Sequence, residues 1–160
     1  MNIKKFLVGA AASAVVLGSI AIPALAAPGG KDSPANDNPN NLYLYQKDAT
    51  WNIIWGGAWG KYNYSLSGTT ISGPFNGHGL VPGTDYTLVE YNGWPSVTVI
   101  GSDVADAAGN VHIAGTVDIG SGGETLGKYK IWLVKSSDVT GANLNAWNPG
   151  SYLFEHNLIP

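Results

Sequence analysis

The sequence predicts an all-β domain, an antiparallel β-sandwich of about seven to nine strands, behind an export segment and a flexible tether. Three observations carry this. Apolar and polar side chains alternate at period two along most of the chain beyond residue 41. Clusters of Gly, Asn, Asp and Pro punctuate it at intervals of about 8–12 residues. No stretch after residue 27 sustains a helical period with caps.

Met1–Ala26 reads as a signal peptide. Lys4 and Lys5 open it, Phe6–Ile22 is an uncharged apolar run, and Ala24-Leu25-Ala26 supplies the small-x-small cleavage pattern. The run is short for a membrane span, Pro23 closes it, and no basic stop-transfer flank follows. A retained anchor is the competing reading; the clean cleavage site favours removal. The expected location is outside the cytoplasm, secreted, periplasmic or on the cell surface, with no stable membrane anchor. Residues 27–41 lack any apolar residue above Ala and Pro and read as a disordered linker. Residues 42–160 then form a single domain.

Its strands are expected in order. Leu42–Tyr45 alternates, then Tyr62, Tyr64 and Leu66, then Asp85–Tyr91. Val97–Val104, Val111–Ile119, Tyr129–Leu133 and Tyr152–Phe154 follow. Asn92-Gly93 signals a two-residue hairpin, because both central positions of that turn require positive φ. Pro95 beyond it points to an edge strand. Asp106–Asn110 separates the next two runs and reads as a second hairpin. Gly120–Gly127 reads as a mobile loop, and Ala142–Trp147 as one short helical turn.

Leu80-Val81-Pro82-Gly83-Thr84-Asp85-Tyr86 resembles the inter-sheet corner of fibronectin type III and other immunoglobulin-like domains. The resemblance implies an immunoglobulin-like sandwich with Leu80, Pro82, Gly83 and Tyr86 in structural roles. Tyr86 would be a tyrosine corner, its hydroxyl bonded to backbone a few residues upstream. The family's early core Trp has no clear counterpart, since Trp51, Trp55 and Trp59 crowd a Gly-rich stretch. Asn76-Gly77-His78-Gly79-Leu80 and Tyr152-Leu153-Phe154-Glu155 also resemble small secreted prokaryotic β-rich proteins, a likeness that brings no biochemical role.

After Ala26 the chain has six Lys, no Arg and eleven acidic residues, a net charge of −5. Nucleic acid and anionic membranes, which call for a basic face, are poor partners for it. With no cysteine, thiolate catalysis, Cys-ligated metal and haem attachment are excluded, and stability rests on packing. His78, His112 and His156 are dispersed, so no metal or other cofactor is expected. Asp103–Asn110 lacks the alternating oxygens and closing Glu of a calcium loop and reads as an Asx turn. Asn63-Tyr64-Ser65 fits a glycosylation sequon, a permissive pattern.

Trp51–Tyr62 is the densest aromatic segment. It reads either as core packing between sheets or as a sugar platform, with Trp55, Trp59, Tyr62 and Trp94 as candidate ligand-binding residues. Trp94 and Trp147 are expected at the surface. No catalytic residue is nominated: none of the nucleophile-elbow, zinc-protease or phosphate-loop motifs occurs. The expected function is therefore a secreted, non-enzymatic binding or surface-interaction module for an extracellular glycan or protein. A carbohydrate-binding module and a small secreted hydrolase are the alternatives.

Overall fold

The computed structural model describes residues 40–120, 129–156 and 159. The expected signal peptide, nearly all of the tether and residues 121–127 of the expected loop lie outside them. The described chain is all β. Its strands are β1 (Asn41–Tyr45), β2 (Trp59–Asn63), β3 (Ser65–Ser67), β4 (Thr70–His78), β5 (Asp85–Tyr91) and β6 (Val97–Val104). β7 (Val111–Asp118), β8 (Ile131–Lys135), β9 (Val139–Thr140), β10 (Asn143–Leu144) and β11 (Leu153–Glu155) follow. Among the described residues nine strands form one antiparallel sheet, ordered β3-β4-β2-β1-β11-β8-β5-β6, with β7 paired to β4; β9 and β10 pair separately.

This sheet is strongly curled. β6 and β7, joined by residues 105–110, lie side by side, yet no ladder among the described residues links them. Glycines permit the close approach: a Cβ on Gly115 would strike the Ile100 carbonyl, and one on Gly101 would lie 2.8 Å from Ile113 Cγ2. The Asp103 carboxylate reaches across instead and accepts the His112 N–H at 2.7 Å. The expected β6–β7 hairpin is thus corrected. Each strand gives its ladder to another partner, β6 to β5 and β7 to β4.

β4, the longest strand, was not expected from the sequence. Its Gly73, Pro74 and Gly77 look like strand breakers, but each fits its place. One edge of β4 pairs β3 over Thr70–Ser72 and β2 over Phe75–His78, and Gly73-Pro74 falls in the gap between them. A missing N–H costs the ladder little there. Gly77 and Gly60 leave room for the Phe75 ring, which a Cβ on Gly60 would overlap.

The concave interior holds Leu42, Leu44, Ile71, Phe75, Leu88, Ile113, Ile131, Leu133 and Leu153, all fully or almost fully buried. Period-two alternation sends their neighbours to the outer face. There Val89, Trp132, Val134, Tyr152 and Phe154 make a second cluster with Val97 and Leu144. β8 is consequently buried on both sides, Ile131 and Leu133 inward, Trp132 and Val134 outward.

Several local expectations change. Asn41 begins β1 rather than ending the tether, because it pairs with Asn63 and their side-chain amides bond. Asn92-Gly93 is not a two-residue turn. Of the pair only Gly93 has positive φ (103°), and a longer loop closes through Ser96 N–H to the Gly93 carbonyl. Asn143–Leu144 is strand, not helix; Leu144 donates its N–H to the Pro95 carbonyl and is buried. Short 3₁₀ turns lie instead at Ser136–Asp138 and Pro149–Ser151. At Asp106 the Asx turn is present: its Oδ1 accepts the N–H groups of Ala108 and Asn110, each at 2.8 Å.

At the Leu80–Tyr86 corner, Gly83 takes φ of +73° and Val81 donates its N–H to the Tyr86 hydroxyl at 3.3 Å. Tyr86→Phe should lower stability by about 1 kcal/mol, since Val81 is exposed and water can serve the freed N–H. A urea midpoint unchanged from wild type would show that the bond contributes nothing.

Candidate functional site

The outer face of the sheet carries a band of aromatic rings in two layers. The lower layer comes from the strands, whose register sets outward residues directly opposite one another. His78 on β4 faces Trp59 on β2, Trp59 faces Tyr45 on β1, Tyr45 faces Phe154 on β11, and Phe154 faces Trp132 on β8. Five strands thus place one aromatic or imidazole ring each in a line perpendicular to their axes. At ~4.8 Å per strand this line runs roughly 19 Å. A flanking line holds Tyr43, which stacks beside Trp59 at 6.5 Å, and Tyr91, which stacks on Trp132 at 4.0 Å and 15°.

The upper layer comes from two loops that fold over the middle of this line. Residues 46–57 lay Trp55 against Tyr45 at 5.7 Å and Trp51 against Phe154 at 4.9 Å. The segment after β10 adds Trp147, 5.8 Å from Trp132 and 6.1 Å from Phe154. The upper rings are open to solvent: Trp51 is 54 % exposed, Trp55 43 % and Trp147 44 %. Between Trp51 and Trp147 lies a cleft of about 220 Å³, floored by Phe154 and edged by Lys47, Asp48, Ala49 and Pro149.

Each loop is anchored by an aspartate. Asp48 Oδ1 accepts the backbone N–H groups of Thr50 (2.8 Å) and Asn52 (3.0 Å) and the Thr50 hydroxyl. The Thr50 hydroxyl and the Asn52 backbone hold the exposed Asp48 carboxyl below its ordinary range. This turn forces Trp51 to φ of +66°, in the left-handed region that a bulky side chain avoids. Such a conformation costs on the order of 1–3 kcal/mol and persists only where its surroundings over-determine it. On the other side, buried Asp138 accepts from the Tyr152 hydroxyl (2.8 Å) and the Asn148 amide (2.9 Å), which brackets Trp147. Burial works to raise the Asp138 carboxyl, but bonds from Asn148, Tyr152 and Ser137 keep it below the usual range.

Three lysines stand over rings of the same face. Lys47 Nζ lies 5.8 Å from the Trp51 ring, Lys61 Nζ 5.8 Å from Tyr43, and Lys130 Nζ 5.9 Å from Tyr91. Lys47 also donates to the Glu155 carbonyl at 2.9 Å, and burial lowers its ammonium from the ordinary value. Glu155 itself is buried, and its Oε2 finds no hydrogen-bond partner among the described residues. Burial pushes this carboxyl up to about 7, against the pull of Lys47, Lys130 and the Trp132 indole.

The residues expected at a site separate accordingly. Trp55 and Trp59 belong to the band. Trp94 is well exposed, at 57 %, but sits in the β5–β6 loop and not among the paired rings of the band. Tyr62 lies wholly inside the core, where a ligand on the surface does not reach it, and burial pushes its phenol up to about 12. Tyr43, Tyr91, Trp132, Phe154 and the three lysines carried no local signal in the sequence, because they meet only through β1, β11 and β8. The histidines stay apart. His112 faces Asn76 at 2.7 Å, His78 faces Asn110 at 2.9 Å, and no trio of His, Asp and Glu placed to hold a metal occurs among the described residues. Nor is any helix among those residues long and apolar enough to cross a membrane.

No family model, curated protein or solved structure matches the chain.

Proposed function

We propose that this protein is an extracytoplasmic binding module without catalytic function, that the aromatic band is its contact surface, and that its ligand is carbohydrate. The observation that carries this reading is Trp51. A large apolar ring is held two-fifths or more clear of its neighbours, on a strained backbone, at the edge of a cleft whose other wall is a second exposed indole. Rings that served only to pack would gain by burial. Flat indoles left in water suit the apolar faces of pyranose rings, while Lys47 and Asp48 at the rim suit hydroxyl groups. The immunoglobulin-like reading of the scaffold goes with this proposal; its support is the Leu80–Tyr86 corner, where the Tyr86 hydroxyl meets Val81.

Trp51→Ala should weaken binding to a glycan array or to purified polysaccharide by about thirtyfold, roughly 2 kcal/mol, with little change in thermal stability. Equal binding by the variant and wild type would remove the band from the function.

A further inference from the structure

We propose that the ligand of the aromatic band is an acidic polysaccharide, bound across the strands with its carboxylates over Lys61, Lys47 and Lys130. This rests on the carbohydrate reading above and adds the charge of the ligand to it.

The placement of the cations is the reason. The chain beyond Ala26 is acidic and has no Arg, yet Lys47, Lys61 and Lys130 all gather on one face. They also form a line. Lys61 is on β2, opposite Tyr43 of β1. Lys47 reaches β11 at the Glu155 carbonyl, and the Lys130 carbonyl, just before β8, accepts the Tyr91 N–H. The path β2-β1-β11-β8 sets Lys61 and Lys130 three strand spacings apart, roughly 14 Å, with Lys47 between them. This line runs parallel to the aromatic one, so a chain stacked on the rings would carry its charges along the lysines.

Several acids among the described residues are already engaged. Asp103 bonds the His112 and Val104 backbone, Asp106 caps its own turn, and Asp118 holds Gly120 N–H. Beside the band, Asp48 is bonded into its loop, Asp138 is buried and bonded to Tyr152 and Asn148, and Glu155 is buried under Lys47. His156 stands on Tyr45 at 6.1 Å, and burial lowers its imidazole, which leaves a neutral hydrogen-bonding group between the lysines. Charge also separates the candidate polymers. A nucleic acid carries a phosphate on every residue and calls for a broadly basic face, whereas this chain beyond Ala26 is acidic, has no Arg and offers three ammonium groups on this face. A polysaccharide with at most one carboxylate per ring asks for fewer cations.

The test compares polygalacturonate with its fully methyl-esterified form, which keeps the rings and loses the charge. Isothermal titration with the full chain should show the acid form bound roughly tenfold or more tightly, with affinity falling as salt rises. Lys61→Gln with Lys130→Gln should bring the acid and ester forms to equal affinity; both side chains are half-buried, and a matching circular dichroism spectrum checks the fold. Trp51→Ala should weaken both forms alike. Equal binding of acid and ester by wild type would overturn the proposal while leaving the carbohydrate reading in place. Binding of neither form, nor of neutral glycans, would end both. Tighter binding to phosphatidylserine vesicles or to an oligothymidylate than to polygalacturonate would also overturn it.

Discussion

Replacing Phe75 with alanine is expected to cost about 3–5 kcal/mol, a large part of the roughly 5–15 kcal/mol that holds a domain of this size together. Phe75 is fully buried at the centre of the concave face, opposite Tyr62 on β2 and Ile113 on β7. Its ring fills the space that Gly60 and Gly77 leave by having no side chains. Removing it leaves a cavity that neither glycine can fill. Guanidinium denaturation measures the loss, and a fall in stability under about 1 kcal/mol would show that the interior re-packs freely. The reciprocal change tests the same contact. Gly60→Ala drives a Cβ into the Phe75 ring, so its cost should be smaller in a Phe75→Leu background than in wild type.

Glu155→Gln is expected to stabilise the protein at pH 8 by about 3 kcal/mol and to change it little at pH 4. The sign follows from the direction of the shift. The carboxyl has an ordinary value of 4.5 and is pushed up to about 7 in the fold, so the folded state favours its protonated form. Below pH 4.5 it is protonated in folded and unfolded chains alike, and its contribution to stability is fully present. As the pH rises through 7 the unfolded chain has already released its proton while the folded chain must ionise a buried group, and that contribution is lost. Glutamine keeps the size without the charge. Glu90 is also buried and shifted upward, but it is common to both proteins and cancels in the comparison. Melting temperatures of the pair from pH 4 to 8 check this; parallel curves would mean that folding does not shift the Glu155 carboxyl.

Strands with one wet face were legible in the sequence. Leu42–Tyr45 and Val111–Asp118 alternate because one side of each meets the interior, and the structure pairs both; Asp85–Tyr91 is also strand, though buried on both faces. β4 was not legible, since Gly73, Pro74 and Gly77 have meaning only beside the strands they accommodate. The second burial of β8 was hidden for a related reason: Trp132 faces outward and is covered by a loop that returns later in the chain. For the band, the density of Trp51–Tyr62 was visible, whereas its continuation was not. Tyr45 and Phe154 are more than a hundred residues apart and become neighbours only through the β1–β11 ladder. A lysine above a ring leaves no pattern in a sequence at all.

The meeting of β6 and β7 gives the protein a clasp. Everywhere else along the main sheet a row of main-chain bonds must break before neighbours separate, but at this junction glycine contacts and the Asp103–His112 bond suffice. Deuterium should therefore enter the facing edges of these two strands first, while the opposite wall, where the rings lie, stays protected. Breathing of the scaffold and the aromatic band are kept on different sides of the molecule.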